Sequence, residues 1–228
     1  MSRLVLSATF GLVLGLTAAA AVAQAPAAQG PRPGQGGGGG AAQAAPVITK
    51  DPMSAPAGTY KLDKAHSSVI ARIGHGGGFS FSTVRFGVTD GTLAWDPAKL
   101  EASKLTVAVD MTPHYDPIVY GLDIKGANFL DIATFPSASF VSTAIRRTGP
   151  TTGVITGDLT FRGQTHPVTI DASLVGAGKT GRGVPTIGFT GVMHLKRSEF
   201  GFTFLAGGIS ENIDVVLDGE FGGTPPAA

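Results

Sequence analysis

Five histidines, His66, His75, His114, His166 and His194, are the first candidates for acid–base or metal chemistry. No two are closer than nine residues, so neither an H-E-x-x-H helix nor a compact ligand run exists. A metal or haem-associated site would need two of His66, His75 and His166 brought within about 4 Å of a common point from different strands. A serine hydrolase needs a strained nucleophile, and the G-x-S-x-G elbow that supplies one is absent. Asp214, Asp218 and Glu220 alternate with apolar residues, as acidic groups on a wet strand face do, rather than forming a catalytic carboxylate pair. Gly34 to Gly39 spells G-x-G-x-x-G inside a Gly-rich run, without the strand before it and helix after it that a dinucleotide site needs. The chain has no Cys, which removes disulfides, thiolate metal sites, cysteine nucleophiles and a lipid-modified cysteine. The expectation is a protein that is not an enzyme and carries no cofactor.

The apolar residues say more. Twelve of the 13 Phe follow Gly58, and the segments that carry them alternate with period two between turn residues, the signature of half-buried strands. Ile213, Val215, Leu217 and Phe221 fall on one face, with Asp214, Asp218 and Glu220 on the other. Leu105, Val107 and Val109 share a face, as do Val168, Ile170, Ala172 and Leu174, and Ile155, Leu159 and Phe161. Further strands are expected at Val69 to Ile73, Phe79 to Val88, Thr92 to Trp95, Ala138 to Ile145 and Ile187 to Leu195. Apolar parity changes from odd (Phe79, Phe81) to even (Val84, Phe86, Val88), which predicts a bulge near Thr83. Pro113 to Phe135 does not alternate. Ile118, Leu122 and Phe129 there have helical spacing, with Asp116-Pro117 as a start and Gly126 as a stop. Eight or nine evenly spaced strands fit a closed barrel or a sandwich, and closure leaves no long edges. A barrel of that size can hold a small ligand.

The N-terminus is different. Met1-Ser2-Arg3, the apolar run Leu4 to Leu16 and the A-x-A sites ending at Ala23 and Ala25 form an export signal over residues 1–23, too short to span a bilayer. From Gln24 to Pro46 every residue except Arg32 is Gln, Ala, Pro or Gly, and Pro52 and Pro56 extend the reading of an irregular linker to residue 57. From Gly58 onward 14 basic face 15 acidic residues, so no nucleic acid partner is implied.

Four ordered blocks resemble the YceI family of bacterial periplasmic proteins. They are Gly58-Thr59-Tyr60-Lys61-Leu62-Asp63-Lys64-Ala65-His66-Ser67-Ser68-Val69, Phe135-Pro136-Ser137-Ala138-Ser139-Phe140, Gly157-Asp158-Leu159-Thr160-Phe161-Arg162-Gly163-Gln164-Thr165-His166-Pro167-Val168-Thr169, and Arg197-Ser198-Glu199-Phe200-Gly201. The resemblance implies an all-β fold over residues 58–222. It would be an extended antiparallel eight-stranded lipocalin-like barrel with a short helical insert, enclosing a polyisoprenoid such as a quinone tail or a prenyl phosphate. The chain departs from the family at Tyr120 to Lys125, where an Arg-Asp-x-His-Leu segment is usual, and at Gly76-Gly77-Gly78.

The resulting expectation is an exported, periplasmic lipid binder that does not span the membrane. Phe81, Phe86, Trp95, Val107, Phe129, Phe140, Phe161 and Phe189 would contact the tail, and His66, Lys125 and Arg197 the head group. Two alternatives stand beside it: the same barrel filled by its own side chains, acting as an envelope or stress interaction module, and the His-based metal or haem-associated protein. Val175, Val192 and Val216 on outer faces allow a homodimer.

Overall fold

The computed structural model describes residues 44–76, 78–114 and 123–224. Its strands are β1 (Val47–Thr49), β2 (Gly58–Leu62), β3 (Ser68–His75), β4 (Ser80–Trp95), β5 (Lys104–Pro113), β6 (Ser137–Arg147), β7 (Thr152–Phe161), β8 (Gln164–Lys179), β9 (Pro185–Lys196) and β10 (Ile209–Gly222). Strands β3 to β10 pair with their sequence neighbours, all antiparallel, and β10 pairs back onto β3. The result is a closed eight-stranded barrel.

Two short strands complete it. β2 pairs with the C-terminal halves of β4 and β10, and β3 with their N-terminal halves. The two therefore share one position in the wall, broken by the 3-10 turn Lys64–His66. β1 pairs with Ala177 to Lys179 of β8, beyond the point where β7 begins. Gly178 is required there, because a Cβ at that position would run into the Val47 carbonyl.

One end of the barrel carries the β4–β5, β6–β7 and β8–β9 connections together with β1 and β2. The other carries the β3–β4, β5–β6, β7–β8 and β9–β10 connections. The β7–β8 turn is a two-residue hairpin with Arg162 at φ 48° and Gly163 at φ 71°, the backbone a twisted ribbon favours. Arg162 accepts a conformation rare for a side-chain residue, and its guanidinium donates to the carbonyls of Phe129 and Ala127, tying down the β5–β6 connection.

Period-two alternation places the strand faces as expected for β5, β7, β8 and β10, whose apolar sets point inward. Three expectations are corrected. The β3–β4 register runs without a shift from His75↔Ser80 to Val69↔Phe86, so no bulge occurs near Thr83. Phe79 and Phe81 simply face outward, and the change of parity falls instead between Val88 and Asp90, where the β4–β5 register shifts. The lead-in to residue 57 is not irregular. Asp51 caps a 3-10 turn at Pro52–Ser54, Ala55 is fully buried, and the Ala55 carbonyl accepts the Trp95 indole N–H at 3.1 Å. Proline there opens a turn rather than preventing order, because its missing N–H is not needed at that position. In the β5–β6 connection, residues 123–135 form turns and not a helix, each closed by short-range bonds such as Phe129 N to Gly126 O at 2.9 Å. Asp116, Pro117, Ile118 and Leu122, residues 1–23 read as an export signal, and residues 24–43 lie outside the described residues.

Candidate functional site

The barrel encloses a cavity of about 330 Å³, within the range of small-molecule pockets. Its interior is therefore not filled by its own side chains. Its wall joins two apolar clusters: Phe86, Phe140, Leu159, Phe161 and Ile170 belong to the larger, and Leu93, Trp95, Leu174 and Phe221 to the smaller. Trp95 and Phe189 meet edge to face at 5.7 Å, and Phe129 meets Phe202 the same way at 5.5 Å, so ring edges brace both ends of the lumen.

Of the tail-contact candidates, Phe86, Trp95, Val107, Phe129, Phe140, Phe161 and Phe189 line the cavity. Phe81 does not. Its outward parity puts it on the surface, more than half exposed, with the Arg72 guanidinium 4.3 Å from its ring centre. Its assignment to the lumen is corrected accordingly.

None of the three head-group candidates is in the wall. Lys125 sits half-buried in the β5–β6 turns, where its backbone N–H donates to Asp123 Oδ1 at 3.0 Å, while its neighbour Ile124 lines the cavity. Arg197 is neither a surface cation nor a cavity ligand, since it is only 2% exposed. Its Nε donates to the Ser210 carbonyl at 3.0 Å, and its Nη1 to the carbonyls of Phe202 at 2.7 Å and Phe204 at 2.9 Å. A buried guanidinium that satisfies three carbonyls is an internal clamp on the β9–β10 connection. Glu211, 3.9 Å from Arg197 Nε, is held below the usual carboxylate range chiefly by the Ser198 hydroxyl.

His66 is also outside, exposed at the β2–β3 break. Its Nδ1 lies 2.8 Å from Asp63 Oδ2. Among the described residues, Asp63, His66 and Glu220 are the group whose ligand atoms lie within 4.8 Å of one another. His75 is at the other end of β3 from His66, and His166 packs edge-on against Phe200 at 5.1 Å, so His66 does not converge with His75 and the ring His166 meets is a phenylalanine.

The hydrogen bond that the His66 Nδ1–H donates to Asp63, then the charges of Asp63 and Glu220, raise the His66 pKa above 6.5, while Asp63 is pulled below 3.8 chiefly by the same bond. The His66 contribution to stability is complete below its unfolded-state value and fades as pH rises through the raised one. The Asp63 contribution is present above 3.8 and fades as pH falls through the lowered value. Between those limits the pair is charged on both sides. In Asp63→Asn the His66 imidazole, followed by NMR, titrates lower, back toward 6.5. An unmoved titration would remove the ion pair from this account.

Sequence reasoning missed Arg147. It is exposed at the end of β6 beside Gly149 to Gly153, and with Asp218 it supplies the charge in the cavity wall. Its Nη2 donates to the Pro97 carbonyl at 3.3 Å, which holds the guanidinium at the rim. The register explains the miss: Ala138 and Phe140 face in at even positions, but the β6–β7 register shifts between Ser142 and Ala144, so Ile145 and Arg147 face in at odd ones. Wall residues are exposed at both ends, Arg147, Pro150 and Thr152 here and Ser139 and Leu205 at the other, but the charged ones, Arg147 and Asp218, stand at this end, which we describe as the mouth.

A closed antiparallel barrel of long strands around an apolar lumen is a lipocalin-like barrel. Within that class the sequence matches the YceI-like domain over residues 60–221, and the chain belongs to the YceI family. It is 38% identical over 167 residues to a UPF0312 protein of Pseudomonas putida (strain GB-1), covering 72% of this chain and 86% of that one. A UPF0312 protein of Pseudomonas syringae pv. tomato is 40% identical over 151 residues, 64% and 77% of the two chains. Solved structures share the fold. Burkholderia cenocepacia BcnA superposes with a TM-score of 0.57 at 23% identity, covering 70% of this chain and 98% of that one. A polyisoprenoid binding domain from Saccharophagus degradans, implicated in plant cell wall breakdown, has a TM-score of 0.50 at 15% identity, covering 72% and 98%.

Proposed function

We propose that this protein is a non-enzymatic binder and carrier of a long-chain isoprenoid lipid, of quinone or prenyl phosphate type, working in the periplasm after export. The observation that carries the reading is the apolar cavity along the barrel with Arg147 at its mouth. Each 100 Å² of tail removed from water is worth about 2.5 kcal/mol, against roughly 4–15 kcal/mol of lost freedom on association. Only a chain that buries several hundred Å² binds well, so the lumen selects for length. Arg147 at the exposed rim adds a modest preference for an anionic head, about 0.2–1 kcal/mol. The polyisoprenoid binding domain that shares the fold supports the ligand class, and the basic start followed by Leu4 to Leu16 supports export.

The test is gentle purification from the native envelope, native mass spectrometry, and organic extraction of what co-purifies. A stoichiometric adduct with an isoprenoid mass is the expected result. A bare protein mass, with no uptake of added ubiquinone or undecaprenyl phosphate, would overturn it.

A further inference from the structure

Apolar side chains that the barrel leaves uncovered collect at both ends, Phe79, Phe81, Phe204 and Leu205 at the far end and a second group at the mouth end. Val47 and Ile48 of β1, Met53 of the following 3-10 turn and Val175 of β8 are each more than half exposed. They are neighbours because β1 pairs with the end of β8, Val47 with Lys179 and Ile48 with Gly178, and because Lys50 Nζ donates to the Val175 carbonyl at 2.6 Å. Around them stand cations. Residues 132–157, which contain the β6–β7 hairpin, carry Arg146 and Arg147 and no carboxylate. Residues 172–198, which contain the β8–β9 hairpin, carry Lys179 and Arg182 at this end and again no carboxylate.

The acidic groups of this end are placed differently. Asp63, Asp218 and Glu220 lie on β10 and at the β2–β3 break, with Glu220 two strands from Gly176 of β8, and Asp171 is exposed on β8 two strands from Arg146. Asp51 and Asp96 accept backbone N–H groups of their own turns, from Met53 at 2.9 Å and from Ala98 and Lys99 at 3.0 Å, and Glu101 is exposed in the β4–β5 connection. Both signs are therefore present around the mouth, and it is the β6–β7 and β8–β9 hairpins, with Arg146, Arg147, Lys179 and Arg182, that carry cations without a carboxylate.

We propose that the apolar and basic side, Val47, Ile48, Met53 and Val175 with Arg146, Lys179 and Arg182, docks the barrel at a tilt onto an anionic phospholipid bilayer. The partner follows from charge and from position. Apolar side chains ringed by Lys and Arg fit the boundary between acyl chains and anionic head groups. The patch is continuous with the cavity mouth, where Pro52 and Arg147 are in the wall. Resting on the reading of an isoprenoid binder, docking here lets a lipid enter tail first without crossing water and leaves its head at Arg147. The rival surface is the far end, where Phe79 is 94% exposed and Phe81, Phe204 and Leu205 are exposed as well. A lipid that entered there and placed its head at Arg147 would drag that polar head through the apolar lumen, which costs more than leaving it at the rim.

The test uses the full chain with a reporter indole at Met53→Trp, Phe79→Trp or Val141→Trp, the buried Trp95 being a background common to all three. Vesicles of phosphatidylglycerol and phosphatidylethanolamine, without isoprenoid and with brominated acyl chains, quench an indole that inserts. Quenching at position 53 alone, weaker on phosphatidylcholine and in high salt, is the expected result. Arg146→Gln with Arg182→Gln should weaken vesicle binding roughly 30-fold, at about 1 kcal/mol per cation. Quenching at position 79, or at no reporter while the vesicles bind through Leu4 to Leu16, would overturn the proposal. So would a vesicle-independent change at position 53 that grows with protein concentration, because a second copy would then be the occupant. Uptake of undecaprenyl phosphate from detergent micelles needs no docking and should survive the double Gln variant. If micelle uptake fails in the parent protein as well, it is the lipid-binder reading that falls, whatever the quenching shows.

Discussion

Arg197→Met is expected to destabilise the protein by about 3–5 kcal/mol, a drop in melting temperature on the order of 10 °C. The loss comes from three carbonyls, those of Ser210, Phe202 and Phe204, whose donor is removed where the side chain is 2% exposed. Methionine fills much of the volume but donates nothing, so the cost is polar and not a cavity. Arg197→Lys should recover less than half, because one ammonium cannot reproduce a planar fork aimed at separate carbonyls. Thermal and urea unfolding measure both variants. A Met variant that melts within about 2 °C of the parent would mean that water replaces the guanidinium at little cost.

Ala172→Phe is expected to weaken isoprenoid retention about 70-fold while the barrel stays folded. Ala172 lies on β8 between Ile170 and Leu174, and all three line the cavity. A phenyl ring added there enters the lumen and displaces tail contact of about 100 Å², worth roughly 2.5 kcal/mol. Because space is available, the overpacking cost should stay below about 1–3 kcal/mol. Val141→Phe, on the outer face of β6, is the control and should bind as the parent does. Equal retention by the Ala172 and Val141 variants would place the ligand outside the barrel.

Much of this architecture was readable because period-two alternation reports burial directly. The inward faces of β5, β7, β8 and β10 follow from their residues alone. Alternation fails in two physical circumstances, and both occur here. It gives faces relative to one another, not which face is inside, so the outward Phe79 and Phe81 at a hairpin tip looked like core. It also inverts at each bulge, and the shifts at Val88/Asp90 and Ser142/Ala144 are set by how each strand pairs with its neighbour and not by its own residues. Arg147 was hidden by the second of these. Arg197 and the residue 44–57 strap were hidden for another reason. What orders them is a contact with distant backbone or a distant side chain, such as Ala55 O with the Trp95 indole, and local composition carries no trace of it.

The route of the chain's ends has a practical side. Val47 pairs with Lys179, and Gly222 pairs with Lys61 and Thr186, so both ends of the described chain leave the barrel at the rim that holds the cavity mouth. An affinity tag or fusion partner joined directly before residue 44 or after residue 224 therefore crowds that opening and competes with any surface it meets. A circular permutant that joins the present ends and opens the chain in the Gly76 to Phe79 hairpin would move both termini to the far end. For immobilising the barrel with its mouth unobstructed, that is the geometry to build.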